Sequence, residues 1–160
     1  MSKPMDNLSG NQKRKMRSAS RYYAVQALFQ MEHSEQSIDT VRNEFIEHRF
    51  GEYVDDEQLE DGDINHFTIL LETSVNYQAE IDQLTDRALV AKWPLGRIDP
   101  TLRALFRAAG AELAKTEIPP KVIIVEYVDL AAAFSTDIKQ TRFVNAVLDH
   151  MAHEARDSGF

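Results

Sequence analysis

The stretch IPPKVIIVEYVDLAAAF, residues 118–134, decides the fold class. Its four consecutive apolar residues, Val122 to Val125, are all β-branched and fit a buried strand. The spacing favours a helix instead: Leu130 and Phe134 continue the i, i+3, i+4 series begun by Ile123 and Tyr127, and alanines fill the turns that follow. Pro119 and Pro120 open this helix, where a missing N–H costs little. Ser135-Thr136-Asp137 ends it and caps another, with Phe143, Val144, Val147, Leu148, Met151 and Ala155 on one face.

Working back along the chain, every apolar period has the same pitch. Asp99-Pro100 is a strong helix start, because the aspartate accepts orphan N–H groups and proline suits the first helical position. That helix buries Leu102, Leu105, Phe106, Ala109 and Leu113, and turns Arg103 and Arg107 to another side. Gly110 inside it costs about 1 kcal/mol against alanine, so a close helix–helix approach is expected there. Trp93-Pro94-Leu95-Gly96 forms a turn. A long periodic stretch from Asp63 to Lys92 is expected to bend near Tyr77–Glu80. Residues 52–63 carry seven acids and no base, which predicts a solvated linker. A weaker period runs from Ile38 to Ile46. Ser18 caps a first helix in which Tyr22, Val25, Leu28 and Phe29 recur, ending near His33. The class is all-α: one compact bundle of six to seven helices over residues 18–160, preceded by a flexible basic arm over 1–17.

Composition narrows the function. The 160 residues include no cysteine, which removes disulfides, thiolate zinc sites and cysteine nucleophiles and suits a reducing, cytoplasmic setting. No apolar run approaches the length of a membrane span. The net charge is −8, yet residues 1–21 hold six cations (Lys3, Lys13, Arg14, Lys15, Arg17, Arg21) against Asp6 alone. An acidic body with a basic end suggests a nucleic-acid contact at that end. No glycine-rich phosphate loop and no nucleophile–base pair is visible, so no catalytic residue is assigned. His150 and His153 have a chelating i, i+3 spacing, but no third ligand accompanies them and no metal or cofactor is assigned. Glu126 and Asn145 are expected as buried polar groups paired across the bundle.

Three blocks carry a resemblance. RSASRYYAVQALFQME at 17–32, IPPKVIIVEYVDLAAAF at 118–134 and RFVNAVLDHMAHEAR at 142–156 resemble, in order and spacing, the opening helix, the I-P-x-K-V-x-I-N-E block and the F-V-N-G-V-L-D ending of the transcription antitermination factor NusB family. Val125 replaces that block's usual asparagine, Ala146 its glycine, and Phe29 a common tyrosine. The resemblance implies two roughly perpendicular helical subdomains and no enzymatic activity. It implies pairing with the small-subunit ribosomal protein that doubles as NusE, and binding of single-stranded boxA RNA, notably in ribosomal RNA leaders, within an RNA polymerase antitermination complex. A homodimer of the free chain is compatible with it. Among the RNA contacts, Arg17 and Arg21 align with family arginines, and Lys139 and Arg142 precede the last helix in a region the family brings near RNA; Lys13, Arg14 and Lys15 extend the basic patch, and Phe29 offers either a stacking face or a core ring. The implied partner surface lies near residues 87–121, with Arg97, Leu102 and Lys121 as contacts. Two other classes are a helical protein-interaction module and an accessory domain like those preceding RNA methyltransferase domains, though no residues remain here for a methyltransferase.

Overall fold

The computed structural model describes residues 8–92 and 98–156. Seven α-helices and one two-stranded hairpin account for the regular structure among them. The chain divides into two compact units, Met1–Glu72 and Thr73–Phe160.

The first unit begins with α1, Gly10–Glu32. It starts earlier than the expected Ser18: the Ser9 hydroxyl accepts from the Gln12 N–H at 3.1 Å and caps the helix. Residues 10–17, read as part of a flexible arm, are therefore helical, and Met16 is fully buried among them. One apolar side chain in two turns gives no detectable period. The buried stripe of α1 is Met16, Ser20, Tyr23, Ala24, Ala27 and Leu28, with Arg21 and Val25. Tyr22 and Phe29, counted as core in the sequence pattern, fall outside it.

Helix α2, Ile38–Glu44, runs on into one π-helical turn, Phe45–Arg49. Strands β1 (Tyr53–Val54) and β2 (Glu57–Gln58) then pair antiparallel. The expected acidic linker thus contains a small exposed hairpin. Its tip residues, Asp55 and Asp56, have φ of 51° and 66°, a left-handed conformation that aspartate tolerates better than most residues. The Tyr23 hydroxyl anchors the segment: it donates to the Glu60 carbonyl at 2.7 Å and accepts from the Gly51 N–H at 3.1 Å. The Tyr23 ring stacks on Phe50 at 4.7 Å, and Phe50 meets Phe67 edge-on at 5.1 Å. A Cβ on Gly62 would sit 2.5 Å from the Phe50 ring, so only glycine lets that ring close. Asp63 caps α3, Ile64–Asn76, through the His66 N–H. Its own N–H donates to the Ser20 hydroxyl at 2.6 Å, which ties this cap to α1.

The division between the units falls within α3. The expected bend follows: α3 ends at Asn76 and α4, Gln78–Lys92, begins after Tyr77. The second unit packs α4 with α5 (Pro100–Lys115), α6 (Pro120–Phe134) and α7 (Ile138–Ala155). Asp99 caps α5 through the Thr101 N–H at 2.7 Å, as the sequence predicts. Gly110 is explained by packing: a Cβ there would lie 2.7 Å from Ile81 Cγ2 of α4. Arg107 grips Asp82 with two 3.0 Å bonds, and Arg103 reaches Asp86 at 2.9 Å. The 118–134 stretch is helical, burying Pro120, Ile123, Tyr127 and Ala131. Its buried carboxylate partner is Glu112, which accepts from the Tyr127 hydroxyl at 2.5 Å. Glu126 is only half-buried, and Asn145 is exposed rather than tethered inside.

Candidate nucleic-acid interface

The interface is best built from α1. At 100° per residue, Lys15, Tyr22, Gln26, Phe29 and His33 share one side of the helix. Each is exposed or half-buried, whereas the opposite side supplies the core. The Gln26 amide donates to the Tyr22 hydroxyl at 3.0 Å, which holds both side chains along the helix. Phe29 is 36% exposed. That settles the choice between a core phenylalanine and an available ring. Its ring stacks on His33 at a centroid distance of 4.2 Å and 28°. A cation at one end and aromatic rings at the other match the needs of a single strand, phosphates on cations and bases on rings.

The remaining cations cluster on the first turns of α1. Arg14 and Lys15 are exposed, and Lys13 and Arg17 are half-buried. Arg14 donates to Asn11 Oδ1 at 3.3 Å, a bond that leaves its charge in solvent. Arg21 is different. It is 3% exposed, so its guanidinium does not join the solvent-facing group, and the expectation that it touches RNA is corrected on that ground. Helix periodicity does not separate it, since Lys13 and Arg17 lie about 160° round the helix from Lys15 and Arg21 about 120°; the packing against α1 does, leaving Lys13 and Arg17 half-buried and Arg21 buried.

In the second unit, Lys139 and Arg142 are exposed on the first turns of α7. Lys139 lines a recess of about 340 Å³ with Ile98, Asp99, Leu102, Asp137, Gln140 and Phe143. Asp99 and Asp137 are occupied as helix caps, and Phe143 meets Phe106 edge-on at 6.3 Å. The recess can take a flat apolar group beside a cation. Leu102, expected as a partner contact, is 6% exposed and belongs to the core of α5. Lys121 is exposed on the first turn of α6, beside Val122 and Val125, which are 45% and 59% exposed. Arg97 lies outside the described residues. No group of three or more metal-ligating side chains occurs among the described residues, and His153 faces Asp149 at 3.7 Å.

Sequence reasoning missed Tyr22, Gln26 and His33. Their steps of four, three and four would have placed them with Phe29, but the aromatic rings matched the apolar period and were absorbed into the core.

Comparison with known proteins agrees with the helical architecture. The NusB family model matches residues 18–153. The chain is 42% identical to the transcription antitermination protein NusB of Caulobacter vibrioides over 151 residues, covering 94% of this chain and all of that protein. It is 38% identical to NusB of Rhodopseudomonas palustris, covering 100% of this chain and 96% of that one. Among solved structures, NusB of T. maritima superposes with a TM-score of 0.70 at 25% identity, covering 99% and 97% of the two chains. A structure of the antitermination factors NusB and NusE with double-stranded RNA matches at a TM-score of 0.67 and 23% identity, covering 87% and 97%. The family works in transcription without enzymatic activity. A family model spanning most of the chain and relatives near 40% identity lead to one conclusion: this chain belongs to the NusB family of transcription antitermination proteins.

Proposed function

We propose that the chain binds single-stranded boxA-type RNA together with NusE and so promotes antitermination, notably of ribosomal RNA transcription, as part of an RNA polymerase complex in the cytoplasm. The observation that carries this reading is the solvent-facing side of α1. It presents Lys15, Tyr22, Phe29 and His33 in one row, and the same first turns carry Lys13, Arg14 and Arg17 on other sides of the helix. Family membership supports it, and the fold is shared with a NusB that was solved with NusE and double-stranded RNA. Lys139 and Arg142 on α7 extend the set of RNA contacts. The start of α6 is the proposed NusE surface, with Lys121 at a polar rim and Val122 and Val125 as its apolar centre. No helix among the described residues is long and apolar enough to cross a membrane.

A gel-shift titration with a boxA-type RNA, with and without NusE, tests the proposal. Tight binding that NusE strengthens is the expected result. Binding of NusE but of no RNA in either arm would favour a protein-interaction module. Replacing Lys121 by Glu should weaken NusE binding more than RNA binding by the chain alone. Equal loss of both, with helix content intact, would mean that the two surfaces overlap.

A further inference from the structure

We infer that His33 is an RNA-contacting residue, the outer ring of a two-ring platform with Phe29 on which an unstacked base rests. The inference rests on the RNA reading given above and names a contact within that site. His33 stands where α1 ends, and two separate bonds fix it there. Its backbone N–H reaches the carbonyls of Gln30 and Phe29 at 3.2 and 3.3 Å. Its ring Nδ1 lies 2.8 Å from the Phe29 carbonyl. A carbonyl can only accept, so Nδ1 carries the proton. Ring and backbone thus converge on one oxygen, which holds the imidazole back over the Phe29 ring at 4.2 Å and 28°. Both rings are exposed, and His33 is the one at the helix end.

A helix cap alone would not need this arrangement. The backbone N–H already reaches the Phe29 and Gln30 carbonyls, and the ring could extend into solvent. Instead it covers an exposed phenylalanine and prolongs a flat surface. Both side chains are held before any ligand arrives, so little ordering cost is paid on binding. Tyr22 and Phe29 are seven residues apart, roughly 10 Å along the axis. The Phe29–His33 pair and Tyr22 are therefore two separate stacking points on one strand, with the cations of the first turns beyond them. Stacking is tolerant of sequence because every base has a π-face. The platform supplies affinity for splayed bases, and sequence choice comes from elsewhere.

The test compares full-length His33→Ala, His33→Trp and Phe29→Ala with the native chain. Each is bound to a single-stranded boxA-type RNA oligonucleotide in the presence of NusE. His33→Ala should bind about tenfold more weakly. Its salt dependence should stay unchanged, because no phosphate contact is lost, and so should its thermal midpoint to within a few degrees. His33→Trp should bind like the native chain. The native chain has a single tryptophan, so the extra emission reports on position 33, and it should be quenched as RNA saturates. If His33→Ala binds within twofold of native while Phe29→Ala binds weakly, the His33 contact is wrong and the RNA reading stands. If His33→Ala is weak but the new emission is not quenched, His33 only positions Phe29 and the inference is overturned. If the native chain binds no RNA, the RNA reading falls and this inference with it.

Discussion

At the residue scale, Tyr23 joins stability to titration. Burial raises its phenol pKa above the ordinary tyrosine value, partly offset by the bond from Gly51, with Asp61 and Glu52 adding to the rise. A raised pKa in the folded state means that the native chain holds this proton more tightly than the unfolded one. The stabilisation is complete below about pH 10 and is lost as pH climbs through the folded value. The urea midpoint of the native chain should therefore fall in strongly alkaline solution, and Tyr23→Phe should lessen that fall. At neutral pH the same variant should cost about 1–2 kcal/mol, since it leaves the Glu60 carbonyl and the Gly51 N–H without their partner; denaturant titration measures both effects. Tyr23 was not legible as the hub. Tyr22 and Tyr23 adjoin in sequence, both rings suit an apolar stripe, and only the neighbouring segment decides which one turns inward. The same ambiguity hid the open side of α1, because Phe29 kept a helical interval from Tyr22 and Val25 although its ring stays in solvent.

At the scale of elements, the strong local signals held. Asp99-Pro100 opened α5, Asp63 capped α3, the bend fell at Tyr77, and the 118–134 stretch was helical. Each is a matter of backbone chemistry within four or five residues. The start of α1 escaped because its first two turns are polar and are held by the Ser9 cap, the buried Met16 and a bond from the Gln12 amide to Glu60 at 3.2 Å. Ser9→Ala should accordingly cost about 1 kcal/mol and increase amide exchange in residues 10–13, which hydrogen-exchange mass spectrometry can read. The C-terminal end of α5 has no glycine cap and relies on a distant residue. The Arg156 guanidinium, following α7, donates to the carbonyls of Leu113 and Thr116, both at 2.7 Å, and of Glu112 and Ile118, both at 3.2 Å. Charged donors are worth more than neutral ones, so Arg156→Ala should destabilise the chain by about 2 kcal/mol. Arg156→Lys should recover little, because one ammonium cannot span four acceptors; thermal unfolding of the two variants checks this. Nothing in the sequence tied Arg156 to residues some forty positions earlier, since long-range pairing leaves no local pattern.

For the molecule as a whole, charge is segregated rather than balanced. A net −8 chain carries a cationic first turn on α1, with Lys13, Arg14, Lys15 and Arg17 reaching solvent. Four phosphate contacts would give log K a slope of about −3 against log salt for a single strand. Lys15→Glu with Arg17→Glu should weaken RNA binding while leaving the helical spectrum intact. An unchanged slope in that double variant would remove these cations from the site. The charge asymmetry was legible at once, whereas the exclusion of Arg21 required the three-dimensional packing. The helical state of residues 10–17 has a metric consequence. A floppy arm would let its cations follow a strand of any length, but cations and rings on one rigid rod are a ruler. Lys15 and His33 stand roughly 27 Å apart along the axis, and this interval fixes the reach of any strand that must touch both. Oligonucleotides trimmed below it should lose affinity abruptly at one length, and longer ones should gain nothing further from this helix.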